Sequence, residues 1–140
     1  MEVTFIIPGE VVGKGRPRFS TYGKFVKAYT PEKTATYENL VKLMYGETAK
    51  GERFTDDEAL LIEVDAYYEV PKSASKKKAA EMLAGRIRPT KKPDLDNVLK
   101  IICDALNGVA YRDDTQIISA RITKHYGEYP SVRVHLSSWE

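Results

Sequence analysis

The sequence predicts an α+β fold, a single compact domain over 1–140 in which helices pack on a mixed or mostly antiparallel β-sheet. Three observations carry this. Apolar residues alternate with polar ones at both ends and in the middle of the chain, two longer stretches repeat their apolar residues at helical spacing, and the patterns do not follow a regular strand–helix alternation. A chain of 140 residues is the size of one domain, and at 42% hydrophobic residues it can bury a core.

Val3, Phe5 and Ile7 point to one face of a first strand. From Arg18 to Ala28, Tyr22-Gly23 sits between Phe19 and Phe25, which reads as a basic hairpin or loop. Thr30-Pro31 then offers an N-cap and a proline at the first helical position, and Tyr37, Leu40, Val41 and Met44 follow at helical spacing, so a helix is expected from about Pro31 to Gly46. Leu60, Ile62, Val64, Ala66 and Tyr68 form a second strand that ends at Pro71. Ser75 caps a short helix through Met82, stopped by Gly85, and 87–93 is a basic loop. Leu95, Val98, Leu99, Ile102, Ala105 and Leu106 give one apolar face to a helix from about Asp96 to Asn107, with Asn107-Gly108 as its stop. Ile118, Ala120 and Ile122, then Val132, Val134 and Leu136, mark two last strands.

Composition excludes several classes. No apolar run approaches the roughly 20 residues of a membrane helix, and the N-terminus does not read as a signal peptide, so a cytoplasmic protein without a membrane partner is expected. One cysteine, Cys103, forbids an internal disulfide, and with only His125 and His135 beside it a structural zinc site is not expected. Any metal would be held by carboxylates, which favours Mg²⁺ or Mn²⁺. The net charge of +2 hides a segregated distribution. Lys14, Arg16, Arg18, Lys24 and Lys27 form one basic stretch; Lys72, Lys76, Lys77, Lys78, Arg86, Arg88, Lys91 and Lys92 form another, interrupted by the single acid Glu81. Such stretches suit phosphate contacts, although a solvated lysine-rich surface has the same composition.

The segment richest in chemistry is Lys91-Lys92-Pro93-Asp94-Leu95-Asp96-Asn97-Val98-Leu99-Lys100, followed by Asp104 and Asp113-Asp114-Thr115-Gln116. If Asp94 and Leu95 are still extended, Asp94 and Asp96 project to one side, with Asp96 at or near the N-cap, where free backbone N–H groups favour anions. Asp96, Lys100 and Asp104 are spaced four apart on one helical face. Asp113-Asp114 is expected to open the next strand and to bring a third carboxylate to the same corner. Carboxylates gathered this way repel unless a cation sits among them. Mg²⁺ held there suits phosphodiester hydrolysis, with Lys100 either stabilising transition-state charge or handling water. The same residues also describe an N-cap, surface ion pairs and an ordinary turn.

Other patterns lead nowhere. Gly13-Lys14-Gly15 lacks the spacing of a P-loop and the third glycine of a dinucleotide fingerprint, so no nucleotide cofactor is expected. His125 and His135 read as strand residues, and Cys103 as a packing residue.

The spaced set Pro-Asp-Leu-Asp-Asn (93–97), Lys100, Asp104-Ala-Leu and Asp113-Asp114-x-Gln resembles the signature of the RusA family of Holliday junction resolvases. The resemblance extends to the first strand ending in Pro8, the basic loop after it and the approach to the first helix through 26–30. It implies a homodimer that binds four-way junction DNA and makes paired nicks with Mg²⁺, Mn²⁺ substituting. It places the catalytic acids at Asp94, Asp96 and Asp114, which would also be the metal ligands with Asp113 as a further candidate, and the important lysine at Lys100. Lys14, Arg16, Arg18, Lys24, Lys27, Lys76, Lys77, Arg88, Lys91 and Lys92 are the expected DNA contacts. Gly13 to Arg18 is more basic than in some members. Phe19, Tyr22 and Phe25 suit either base stacking or hairpin packing. A non-catalytic DNA-binding module of the same fold, and a metal-dependent nuclease for forks or flaps, stay open at this level.

Overall fold

The computed structural model describes residues 1–15 and 31–140 and, between them, only the backbone of strands 18–22 and 25–29. Arg16, Lys24 and the side chains of Arg18 and Lys27 therefore lie outside the described residues, as do Thr30 and the side chains of Phe19, Tyr22 and Phe25.

The order of elements is β1 (Glu2–Pro8), β2 (Arg18–Tyr22), β3 (Phe25–Tyr29), α1 (Glu32–Ala49), β4 (Leu60–Glu69), α2 (Lys76–Leu83), α3 (Leu95–Leu106), a single 3₁₀ turn (Asp114–Gln116), β5 (Ile117–Gly127) and β6 (Ser131–Ser138). The expected α+β class is what the chain adopts. Four strands form a mixed sheet in the order β1-β6-β4-β5, with β4 and β5 parallel and the other pairs antiparallel; β2 and β3 make a separate antiparallel hairpin. The one parallel pairing follows from the chain's path, because leaving β4 and returning beside it in the same direction requires a long crossover, supplied here by α2 and α3.

One face of the sheet is the core. Val3, Phe5 and Ile7 of β1, alternate residues of β4 from Leu60 to Tyr68, and Val132, Val134 and Leu136 of β6 are all buried. α1 lays Tyr37, Val41 and Tyr45 along it, with the Tyr45 ring edge-on to Phe5 at 5.7 Å. α3 packs against α1 and buries Val98, Ile101, Ile102, Cys103, Ala105 and Leu106. Each fully buried Ile or Leu contributes about 1.5–3 kcal/mol, which makes α3 a firmly seated platform for the polar residues on its other side.

Four boundaries differ from expectation. α1 runs past Gly46 to Ala49, because Tyr45 and Ala49 continue its buried stripe and their burial outweighs the modest cost of an interior glycine. It ends at Lys50, which takes the left-handed conformation (φ 53°) with its N–H on the Gly46 carbonyl. Pro31 occupies the N-cap instead of the first helical position. α3 begins at Leu95, so Asp94, not Asp96, stands at the N-cap and Asp96 lies in the first turn. Asp113-Asp114 does not open a strand: the Asp113 side chain caps the 3₁₀ turn before β5.

Candidate active site

α3 carries most of the site. Its apolar face is fixed in the core, so its opposite side presents Asp96, Lys100 and Asp104 in consecutive turns. Asp94 has extended backbone (φ −67°, ψ 154°), and its carboxylate makes no capping bond. Asp94 and Asp96 are both exposed. They stand where the first N–H groups of α3 lack intrahelical acceptors, a place that favours negative charge.

The approach to Asp94 is anchored from beneath. The Tyr68 hydroxyl, at the end of β4, donates to the Pro93 carbonyl at 2.9 Å. Burial and the neighbouring Asp94 charge push that phenol up to about 12. Lys91 and Lys124 place their ammonium groups 5.9 and 5.3 Å from the Tyr68 ring, and Lys124 Nζ donates to the Lys91 carbonyl at 2.7 Å. On the other side, the Gly13–Gly15 segment lies directly on the loop: a Cβ on Gly13 would come within 2.7 Å of Pro93 Cβ and 3.1 Å of Asn97 Cβ.

The expected acids are set by different ends of α3. α3 spans 12 residues, about 18 Å from end to end, and Asp114 lies beside its far end: the Asp114 N–H donates to Asn107 Oδ1 at 2.9 Å. The backbone of Asp114 is thus tied to the C-terminal end of α3, and that of Asp94 caps its N-terminal end. The chain leaves α3 at Asn107 and folds back at once, with Gly108 N–H on the Tyr111 carbonyl and the Tyr111 hydroxyl on the Cys103 carbonyl at 2.7 Å. Among the described residues, no three carboxylate, histidine or cysteine side chains stand as a ready metal-binding group. Asp94 and Asp96 fit a hard divalent cation by their chemistry and exposure. Asp113 is engaged by its own turn, where hydrogen bonds from Thr115 hold its carboxyl below the usual range.

Lys100 is exposed, with its ammonium 3.8 Å from Asp104 Oδ2. Lys14, expected among the DNA contacts, is turned inward: its ammonium lies 3.0 Å from Glu38 Oε2 and 3.2 Å from the same Asp104 oxygen. Lys76 and Lys77 are exposed on α2, and Lys91 and Lys92 are exposed beside Asp94. Arg88 reaches β5, donating to the Lys124 carbonyl at 3.1 Å and to His125 Nδ1 at 2.7 Å. His125 then donates from Nε2 to Asp65 at 2.7 Å, so it serves the strand surface. Cys103 is buried and its thiol is pushed up to about 12, by burial first and then by the Asp114 charge, which keeps it an inert packing residue.

Sequence reasoning missed the residues that position these groups. Asn107 holds Asp114, and Gln116 ties its turn down: Oε1 accepts from the Arg112 and Asp113 N–H groups (3.0 and 3.2 Å) while Nε2 donates to the carbonyls of Thr55 and Glu58 (2.9 and 3.0 Å). The only sequence signal for Gln116 was its fixed place in Asp-Asp-x-Gln; the loop it grips lies some sixty positions earlier.

An α+β scaffold that sets exposed carboxylates at a helix end, a lysine one turn on and further lysines at the rim has the make-up of a nuclease. The model of the endodeoxyribonuclease RusA family matches residues 8–137, nearly the whole chain, and the chain belongs to that family. It is also 36% identical over 134 residues to the "Uncharacterized protein YqaN" of Bacillus subtilis (strain 168), a match covering 94% of this chain and 93% of the relative. Family membership supports a nuclease role in Holliday junction resolution. No helix among the described residues is long and apolar enough to cross a membrane.

Proposed function

We propose that this protein is a Mg²⁺-dependent endonuclease that acts as a homodimer and resolves four-way DNA junctions by paired phosphodiester hydrolysis. The observation that carries the reading is the pair of exposed carboxylates, Asp94 and Asp96, at the N-terminal end of a core-anchored helix whose next turn presents Lys100, in a chain of the endodeoxyribonuclease RusA family.

Asp94 and Asp96 would hold Mg²⁺, or Mn²⁺ in its place, with Asp114 as the third ligand. The ion would polarise the scissile phosphate and lower the pKa of the attacking water. Lys100 supplies positive charge for the developing negative charge on the phosphate oxygens. The free N–H groups at the start of α3 add donors on the same side. Lys91 and Lys92, with Lys76 and Lys77 on α2, track the backbone of the substrate arms through contacts that carry no sequence information. A four-way junction has approximate two-fold symmetry, so two identical subunits match two opposed strands and deliver two nicks.

The test is cleavage of a labelled synthetic four-way junction beside a linear duplex, a fork and a flap, in Mg²⁺, Mn²⁺ and EDTA. Paired nicks confined to the junction and lost in EDTA are expected, with Asp94→Asn and Asp96→Asn binding the junction nearly as wild type while losing cleavage. Equal cutting of all substrates would replace the resolvase reading by a general nuclease. Binding without cleavage in either metal would leave a DNA-binding module, and either variant cutting at the wild-type rate would overturn the site.

A further inference from the structure

Resting on the nuclease reading above, we propose that Lys14 is a positioning residue for Lys100: by occupying Asp104 and Glu38 it leaves Lys100 loosely held and able to reach a substrate phosphate. Three features support this. The first is geometry. Asp104 Oδ2 receives two ammonium groups unequally, Lys14 Nζ at hydrogen-bonding distance (3.2 Å) and Lys100 Nζ at 3.8 Å. The second is exposure, 19% for the Lys14 side chain against 62% for Lys100. Lys14 is the inner partner of the carboxylate and Lys100 the outer one. The third is that Lys14 is pinned. Its own N–H donates to the Asn97 carbonyl at 2.9 Å, the Gly15 N–H donates to Thr34 Oγ1 at 3.2 Å, and both flanking glycines lie too close to their neighbours to admit a Cβ without displacement. The Gly-Lys-Gly stretch that matches no phosphate-binding motif is thus a strap across α1 and α3, and the close approach explains its glycines.

The consequence has a definite sign. Without the Lys14 charge, Asp104 and Glu38 lose their nearest counter-ion, and the only other cation beside Asp104 among the described residues is Lys100. Lys100 is then drawn from 3.8 Å into direct hydrogen bonding with Asp104 and away from the substrate. The variant should bind DNA normally and cut slowly. A Lys14 that contacted phosphate directly would behave the other way, weakening binding and its salt dependence.

The experiment compares wild type, Lys14→Met and Lys14→Met/Asp104→Asn. Single-turnover cleavage of a four-way junction is measured in Mg²⁺, and junction affinity is measured across a salt series without divalent ion. Lys14→Met is expected to slow cleavage by about tenfold to a hundredfold, the scale of a misplaced catalytic group, with affinity little changed. The slope of log affinity against log salt should stay at the wild-type value, whereas loss of one phosphate contact would lower it by about 0.9. Removing the Asp104 carboxylate as well should recover part of the rate, because the trap for Lys100 is gone; a merely structural role for Lys14 predicts no recovery. A lowered salt slope, wild-type cleavage by Lys14→Met, or a double variant no faster than the single one would each overturn the proposal. If circular dichroism shows Lys14→Met unfolded, Lys14→Gln takes its place with the same expectations. Wild-type protein that fails to cut would refute the nuclease reading and this inference with it, while cutting by wild type and variant alike refutes this inference alone.

Discussion

Replacing Gln116 by Met removes one amide that makes four hydrogen bonds and keeps a side chain of similar length. In the folded protein the amide oxygen accepts from two consecutive N–H groups, Arg112 and Asp113, and the amide nitrogen donates to two carbonyls, Thr55 and Glu58. Each such bond is worth about 0.5–1.5 kcal/mol net. Gln116 is only half-buried, so water takes over some of the released partners, and a total loss of about 2–3 kcal/mol is expected. For a domain of this size that corresponds to a fall in Tm of about 6–10 °C. Equilibrium urea denaturation should show a lower midpoint at unchanged slope. Cleavage should fall further than stability alone explains at temperatures where the variant is still folded, because the turn that carries Asp114 has lost its tie to the 55–58 loop. A loss below about 0.5 kcal/mol would mean that the four bonds are replaced by water at no cost, and the account of Gln116 as a staple would be wrong.

Gly13→Ala places a methyl group 2.7 Å from Pro93 Cβ and should cost about 1–3 kcal/mol by overpacking, with the Asp94 loop shifted and cleavage reduced more than junction binding. Stability should also fall at the acidic end. Hydrogen bonds from Thr55, and then from Ser138, hold the Glu58 carboxyl below its usual range, and those from Thr115 do the same for Asp113. For depressed carboxyls the contribution is present above the ordinary value and lost as pH falls through the folded one, so thermal melts from about pH 5 downward should show the decline, and Glu58→Gln should reduce it.

Much of the fold was legible because single-residue periodicity encodes it. The alternation of Val3, Phe5 and Ile7, of Leu60 to Tyr68, and of Val132 to Leu136 placed three of the four sheet strands with the correct buried face. Ser75 accepts the Lys78 N–H as an N-cap should, and Val98, Ile102, Ala105 and Leu106 of the predicted α3 face are buried, whereas Leu95, in the first turn, is exposed. Boundaries were less legible, because they depend on what lies opposite. Gly46 stays inside α1 only because Tyr45 and Ala49 have a core to enter, and α3 starts at Leu95, one residue earlier than expected.

By itself the sequence determined the α+β class, the chemical make-up of the candidate site from Asp94 to Gln116 and the segregation of charge, because each of these is a property of residue type and local spacing. Tertiary structure alone decided the parallel seating of β5 on β4, the tie of the Asp114 backbone to Asn107, and the inward turn of Lys14 toward Glu38 and Asp104. These depend on contacts between residues far apart in the chain. A lysine reads the same in a sequence whether it faces solvent or two carboxylates, and only the packing of α1 against α3 brings Glu38 and Asp104 together around it.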